Sequence, residues 1–267
     1  MNGFQNFIRQ WYLRHGRHEL PWRQTTDPYK ILVSELMLQQ TQVERVIPKY
    51  LAFIERFPDT KTLAAASLRD VLVLWQGLGY NRRAKYLLQC AKVVEEQYNG
   101  QFPNNESALL ELPGIGPYTA SAVCAFAYNQ AVVLIETNVR TVFLYHFFAE
   151  KNEVHDKEIL ELVTLSLDTT HPREWYWALM DYGSYLKKIL PNPSRKSKQH
   201  TKQSKFSGSL RQVRGEIIRL LTAKDYQTTT ELLQQLQSNK LYFAAALDQL
   251  LQEKLVVQDS GKISLGE

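Results

Sequence analysis

The chain has 267 residues, 44% apolar and 22% charged, the composition of an ordinary globular protein with room for one large or two small domains and a real core. No run of about 18 apolar residues occurs, and the N-terminus lacks the apolar stretch of a secretion signal, so neither a membrane span nor export is expected. The formal charge is +5, yet nine Lys and Arg crowd residues 187–215 with no acid among them, leaving −4 on the rest. Such a segment suggests a polyanion partner or, failing that, a solvated linker. The two cysteines, Cys90 and Cys124, lie in apolar helical patterns, as expected for a reducing cytoplasm. Two thiols cannot supply the four ligands of an iron–sulfur cluster, and the six histidines show no metal-ligand spacing.

In chain order, Asp27-Pro28 opens a long helical pattern carried by Leu32, Leu36, Val43, Val46, Ile47 and Tyr50, interrupted at Phe57-Pro58. A second pattern runs from Thr62 to Trp75 and stops at Gly77-Leu78-Gly79. A third runs from Asn81 to Tyr98 and stops at Asn99-Gly100. A short helix at Ser107–Leu112, a tight turn at Pro113–Pro117 and a helix from Tyr118 to Tyr128 follow, then helices over 138–149, 157–167 and 173–188. Pro191–Ser209 reads as a basic linker. Beyond it, helices at Leu210–Lys224, Thr229–Gln237 and Leu241–Lys254 precede a hairpin at Asp259-Ser260-Gly261, the pattern of a winged helix.

Three constellations carry chemistry. In Leu112-Pro-Gly-Ile-Gly-Pro-Tyr-Thr-Ala120, the turn opens into a helix N-terminus whose free N–H groups suit a phosphate oxygen; Gly114 and Gly116 are expected to need positive φ and close approach of a backbone. Glu35 borders the apolar stripe of Leu32 and Leu36, one turn from Ile31 and Leu38. Desolvation there favours a protonated carboxyl suited to general acid work, whereas an Arg-paired Glu at a helix rim is the plainer alternative. In Ile135-Glu-Thr-Asn-Val-Arg140, Glu136 is either a second catalytic carboxylate or the N-cap of the next helix.

Leu20-Pro-Trp-Arg23, Asp27-Pro-Tyr29, Ser34-Glu-Leu-Met-Leu-Gln-Gln-Thr-Gln-Val43, Trp75-x-Gly-Leu-Gly-Tyr80, Leu112–Ala120 and Asn138-Val-Arg140 occur in the order and spacing of the helix-hairpin-helix DNA glycosylases. The resemblance spans roughly residues 4–190 and is greatest to the MutY-type adenine glycosylases; Phe206–Gly215 also resembles a C-terminal segment of some members. It implies an all-α, two-lobed glycosylase fold with a small C-terminal winged-helix-like unit. One lobe would combine residues 1–23 and 131–190, the helix-hairpin-helix lobe would be 24–130, a basic linker 191–209, and the C-terminal unit 210–267.

The resemblance also implies roles. Glu35 would protonate the departing base, Glu136 with Asn138 would serve the sugar, and Tyr118 would stand where strand-cleaving relatives carry an amine-bearing lysine. Trp22, Arg23, Leu38 and Trp177 would line the base pocket. Gln40 and Tyr80 would wedge into the duplex, while Gly114, Gly116, Thr119, Lys196 and Lys198 would contact its backbone.

Five features depart from the family. Glu136 stands in place of Asp, Thr137 in place of Gly, and Trp177 where a Gln or Glu meets adenine. The Tyr185–Pro193 segment has no cysteines where the family holds an iron–sulfur cluster. A counterpart of the domain that recognises 8-oxoguanine is not expected in residues 191–267. The expectation is therefore a monomeric, cytoplasmic, nucleoid-associated, cofactor-free glycosylase that releases a mispaired or damaged base from duplex DNA without cutting the strand. Adenine opposite 8-oxoguanine or guanine is favoured; thymine or uracil in mismatches, oxidised pyrimidines, or non-catalytic lesion binding are the alternatives.

Overall fold

A computed structural model describes residues 2–198 and 205–266; Lys202, counted in the basic segment, lies outside the described residues. The helices are α1 Asn2–His15, α2 Pro28–Leu38, α3 Val43–Arg56, α4 Thr60–Ala64, α5 Leu68–Trp75, α6 Arg82–Tyr98, α7 Glu106–Leu110, α8 Pro117–Phe126, α9 Thr137–Phe147, α10 Asp156–Leu165, α11 Pro172–Ile189, α12 Leu210–Ala223, α13 Thr229–Gln235 and α14 Phe243–Gln252. Strands β1 Gln227–Thr228, β2 Val256–Asp259 and β3 Lys262–Leu265 form an antiparallel sheet of order β1-β3-β2. Among the described residues no helix is long and apolar enough to cross a membrane.

Local chemistry sets most helix ends. Asp27 Oδ1 accepts the Tyr29 N–H at 2.9 Å at the start of α2. Asn99, at φ 52, closes α6 in the left-handed region. Two expected helices are each divided. The Asp27–Tyr50 pattern breaks between α2 and α3, where Gln40 turns to φ 58. The Thr62–Trp75 pattern breaks at Ser67, whose capping box with Asp70 starts α5 afresh. Periodicity survives both breaks because both halves bury their apolar faces.

Packing divides the chain into two compact units: residues 2–32, 103–111 and 115–198, and residues 33–102, 112–114 and 205–266. In unit one, α11 lies against α9, α1 and α8, and buries Trp175, Tyr176 and Leu179. In unit two, α6 packs on α4 and α5, and α12 packs on α14, β3 and α5.

These units differ from the boundaries expected at 24–130, 131–190 and 210–267. Residues 115–130 group with unit one because α8 packs on α7 and α11. The C-terminal helices group with unit two because charged side chains of α5 and α6 cap them. Arg69 donates to the Leu221, Thr222 and Lys224 carbonyls at the end of α12, each at 3.0 Å. Lys85 donates to Glu253 and Lys254 at the end of α14, at 3.1 and 2.7 Å. The linker expected at 191–209 is ordered at its start: Pro193–Lys196 makes a 3₁₀ turn, Ser194 is buried, and Ser197 bridges to Val154.

Candidate functional site

Glu35 lies seven residues into α2 and is 7% exposed, flanked in sequence by buried Ser34 and Leu36. Burial is continuous over residues 31–37, so Glu35 lies among mainly apolar neighbours along its helix. A carboxyl in such surroundings pays for its charge in lost hydration.

Glu136 belongs to unit one and is the N-cap of α9. Oε1 accepts the N–H groups of Asn138 and Val139 at 2.6 and 2.7 Å, and Oε2 accepts Asn138 Nδ2 at 3.1 Å. The structural alternative drawn from the sequence is thus the observed geometry, and it leaves a catalytic role open, since a capped carboxylate is oriented rather than consumed. The residue as a whole is half-buried, but its carboxyl is enclosed. Burial pushes that carboxyl up from its ordinary value, against the two N–H bonds and the charges of Lys187 and Arg140. Asn138 Oδ1 is buried without a hydrogen-bond partner.

Two residues of α11 that the sequence did not single out set this position. Tyr176 OH accepts the Leu134 N–H at 3.1 Å and donates to the Val132 carbonyl at 2.9 Å, fixing the segment that leads into Glu136. Gly183 lets α11 approach α9 closely, since a Cβ there would strike the Asn138 backbone.

Arg23 and Trp177 are brought together in unit one, in an arrangement that ties Arg23 down. Arg23 grips Asp181 with both terminal nitrogens, at 2.7 and 2.9 Å, while its guanidinium lies 5.4 Å from the Trp177 ring centre and 5.9 Å from that of Tyr12. Arg17 binds the same carboxylate through its backbone N–H and Nε at 2.7 and 2.8 Å. Burial alone would raise the Asp181 carboxyl, but the two arginines hold it below its ordinary value. Trp177 stacks on Phe126 at 6.1 Å, and Trp22 is buried.

Gln40, Tyr80 and Gly114 are brought together in unit two, where they line one cleft of about 510 Å³. Gln40 and Tyr80 both hold left-handed backbone, at φ 58 and 48, and both expose their side chains. Such conformations persist in non-glycine residues only when their surroundings impose them. Here the agent is Arg83, a buried residue that the sequence did not reveal. It donates to the Leu36 and Gln39 carbonyls at the end of α2, the latter at 2.8 Å, and to the Leu78 and Gly79 carbonyls at 3.3 and 3.0 Å. One guanidinium therefore holds the loop of Gln40 and the loop of Tyr80. Its Cζ also lies 5.5 Å from the ring centres of Tyr80 and Trp75. Burial lowers its pKa to about 10, which leaves it charged at neutral pH.

The two turn glycines differ. Gly114 sits at φ 77, and a Cβ there would strike Tyr86. Gly116 has extended backbone with open space around it, so positive φ does not explain it. Tyr118 is half-buried and Thr119 buried in the first turn of α8. Lys196 donates to the Phe148 carbonyl at 3.3 Å and to that of Ala149, and Lys198 faces Glu153 at 3.8 Å. Cys90 and Cys124 are buried, and burial pushes their thiols to about 12 and about 11. Among the described residues no group of three or more His, Cys, Asp or Glu is arranged to hold a metal.

Residues 33–165 match the HhH-GPD superfamily of base excision DNA repair proteins, and the chain carries that domain. An adenine DNA glycosylase of Buchnera aphidicola is 38% identical over 184 residues, covering 68% of this chain and 52% of that protein. An adenine DNA glycosylase of Mycolicibacterium smegmatis is 43% identical over 180 residues, covering 66% and 61%. The chain thus spans about half to three fifths of the length of these curated relatives. Among solved structures, that of a thermostable thymine-DNA glycosylase is 26% identical with a TM-score of 0.60, covering 68% of this chain and 85% of that one.

Proposed function

We propose that this protein is a monofunctional DNA glycosylase that hydrolyses the bond between an extruded base and its sugar in duplex DNA, with adenine opposite 8-oxoguanine or guanine as substrate. The observation that carries the proposal is the buried Glu35 of α2, set within Ser34-Glu-Leu-Met-Leu-Gln-Gln-Thr41. The names of the two bacterial relatives supply the base.

In this mechanism Glu35 gives its proton to the leaving purine, so the base departs neutral. Positive charge then develops on the sugar. Glu136, held by the N-terminus of α9, faces it as an anion and orients the water that completes the displacement. Gln40 and Tyr80 fill the space left in the duplex, and Arg83 keeps their loops in place. The turn at Gly114–Gly116 and the α8 N-terminus hold a phosphate. The chain works as a monomer in the cytoplasm, on the nucleoid, without an iron–sulfur cluster, its two cysteines being buried thiols.

One observation favours a second reading, excision of another base such as thymine. Trp177, an aromatic residue without a side-chain amide or carboxylate, stands where a Gln or Glu would meet adenine, stacked on Phe126 and beside Arg23. The test is single-turnover incubation with duplexes carrying adenine opposite 8-oxoguanine, adenine opposite guanine, thymine and uracil opposite guanine, or oxidised pyrimidines, followed by alkali. Cleavage of the adenine duplexes is expected; cleavage of the thymine or uracil duplexes alone selects the second reading, and cleavage of none overturns the enzymatic one.

A further inference from the structure

The winged-helix-like unit carries its charge in an unusual place. A winged helix that reads DNA in the common manner does so with its third helix and its hairpin. Here the third helix, α14, contains no Lys or Arg and carries Asp248, and α13 has only Glu231 as a charged residue. Among these three helices, Lys and Arg occur only on the first, α12, as Arg211, Arg214 and Arg219.

That helix faces the wedge residues. Arg211 donates to Tyr80 OH at 2.9 Å and places its guanidinium 5.7 Å from the Tyr80 ring centre. Arg211 and Gly215 line the 510 Å³ cleft that holds Gln40, Tyr80 and Gly114. They also line an adjoining cleft of about 710 Å³ that includes Arg45 and Arg219. Six arginines line the two clefts, Arg83 among them buried, against two glutamates: Glu253, and Glu216, which lies 3.7 Å from the half-exposed Arg219. A groove of that sign, with an aromatic and an amide projecting into it, suits a nucleic-acid strand.

We propose that the C-terminal unit binds DNA through α12 rather than through α14 and the hairpin, with Arg211 and Arg219 contacting phosphates of the strand seated at Gln40 and Tyr80. The proposal rests on the glycosylase reading and extends it to a part of the chain that the superfamily match at 33–165 does not reach. Arg214 acts differently. Paired with Glu253 at 2.5 Å and with Gln249 at 3.0 Å, it ties α12 to α14. The Arg-Gln-x-Arg spacing of Arg211 and Arg214 thus serves one contact outward and one inward.

The experiment measures binding of the full chain to a duplex with a tetrahydrofuran abasic analogue, which the enzyme cannot hydrolyse, across a salt series. Arg211→Gln and Arg219→Gln should each flatten the slope of log K against log salt by about 0.9, one phosphate's worth. Arg211→Lys should restore it, and Lys240→Gln and Lys262→Gln, near α14 and on the hairpin, should leave it unchanged. Slopes unmoved by the arginine variants, or moved instead by Lys240 and Lys262, overturn this inference while leaving the glycosylase reading standing. Failure of the wild-type chain to bind any duplex strikes the glycosylase reading itself.

Discussion

Each unit buries an arginine side chain, and the terminal nitrogens of the two are bound in opposite ways. In unit one, Arg23 is 4% exposed and meets a carboxylate, Asp181, that Arg17 shares. In unit two, Arg83 meets main-chain carbonyls, and among the described residues no carboxylate comes within ion-pair distance of it. A carboxylate partner fixes one side chain against another. Carbonyl partners from two loops fix the backbone itself, at the two places where it is held left-handed. The first arrangement stabilises the fold; the second sets the geometry of the residues that would enter DNA.

The largest expected effect is on the ion pair. Asp181→Asn leaves two guanidinium groups without their shared anion and should cost about 3 to 5 kcal/mol in thermal or denaturant unfolding. Because Asp181 is held below its ordinary pKa, its contribution is complete above the unfolded value near 3.9 and is lost as pH falls through the lower folded value. A loss of stability that sets in above pH 5 and vanishes in the variant would break the comparison from this side.

Arg83→Lys keeps a charge but replaces a five-donor fork with three donors on one atom. Stability should fall by about 1 to 3 kcal/mol through unpaired carbonyls. The sharper readout is coupling. If Arg83 acts through the wedge, its effect on binding the abasic duplex should shrink in a Tyr80→Ala background, and simple additivity would reduce Arg83 to a core residue.

The turn glycines give a smaller, paired test. Gly114→Ala, with φ 77 and the Tyr86 clash, should cost about 1 to 3 kcal/mol. Gly116→Ala should stay within about 0.5 kcal/mol in stability and should weaken DNA binding if a phosphate approaches there. Equal destabilisation by both would contradict the difference drawn between them.

The mildest effect concerns pH. Excision should decline, as pH falls, above the ordinary carboxylate range, because burial raises Glu136 and its protonation removes the anion. Lys187→Gln removes a charge that favours that anion and should move the acid limb to higher pH. A limb that stays or moves down would show that Glu136 does not govern it.

Much of this was legible in the sequence. The Asn99-Gly100 stop and the Leu112–Ala120 turn are local signals, and each lies where its residues predict. The break at Gln40 was hidden because Gln39-Gln-Thr-Gln42 contains neither Gly nor Pro; its left-handed turn is imposed by Arg83, 43 positions later. Strand β1 has two residues, too few for any alternation to register, and gains its identity from β3. Tyr176 and Gly183 look like ordinary helix residues until α11 meets the segment around Glu136. The resemblance to glycosylases named Glu35 and Glu136, but not the hydrogen bonds that hold Glu136, which depend on the packing of unit one.

The expected absence of strand cleavage rests on Tyr118, whose phenol has no amine to form an imine. Lys85 is committed to the end of α14. Borohydride during turnover should trap no protein–DNA adduct, and trapping that disappears in Lys187→Ala would assign that amine an unforeseen role.

The central claim is tested most directly at Glu35. On a duplex with adenine opposite 8-oxoguanine, the wild-type chain should release the base in a single turnover. Glu35→Gln should bind the same duplex within a few-fold, since phosphate contacts supply most affinity, yet release almost none. Excision by the variant at more than about a tenth of the wild-type rate, a deficit smaller than roughly 1.4 kcal/mol, would contradict the assignment of Glu35 as the acid.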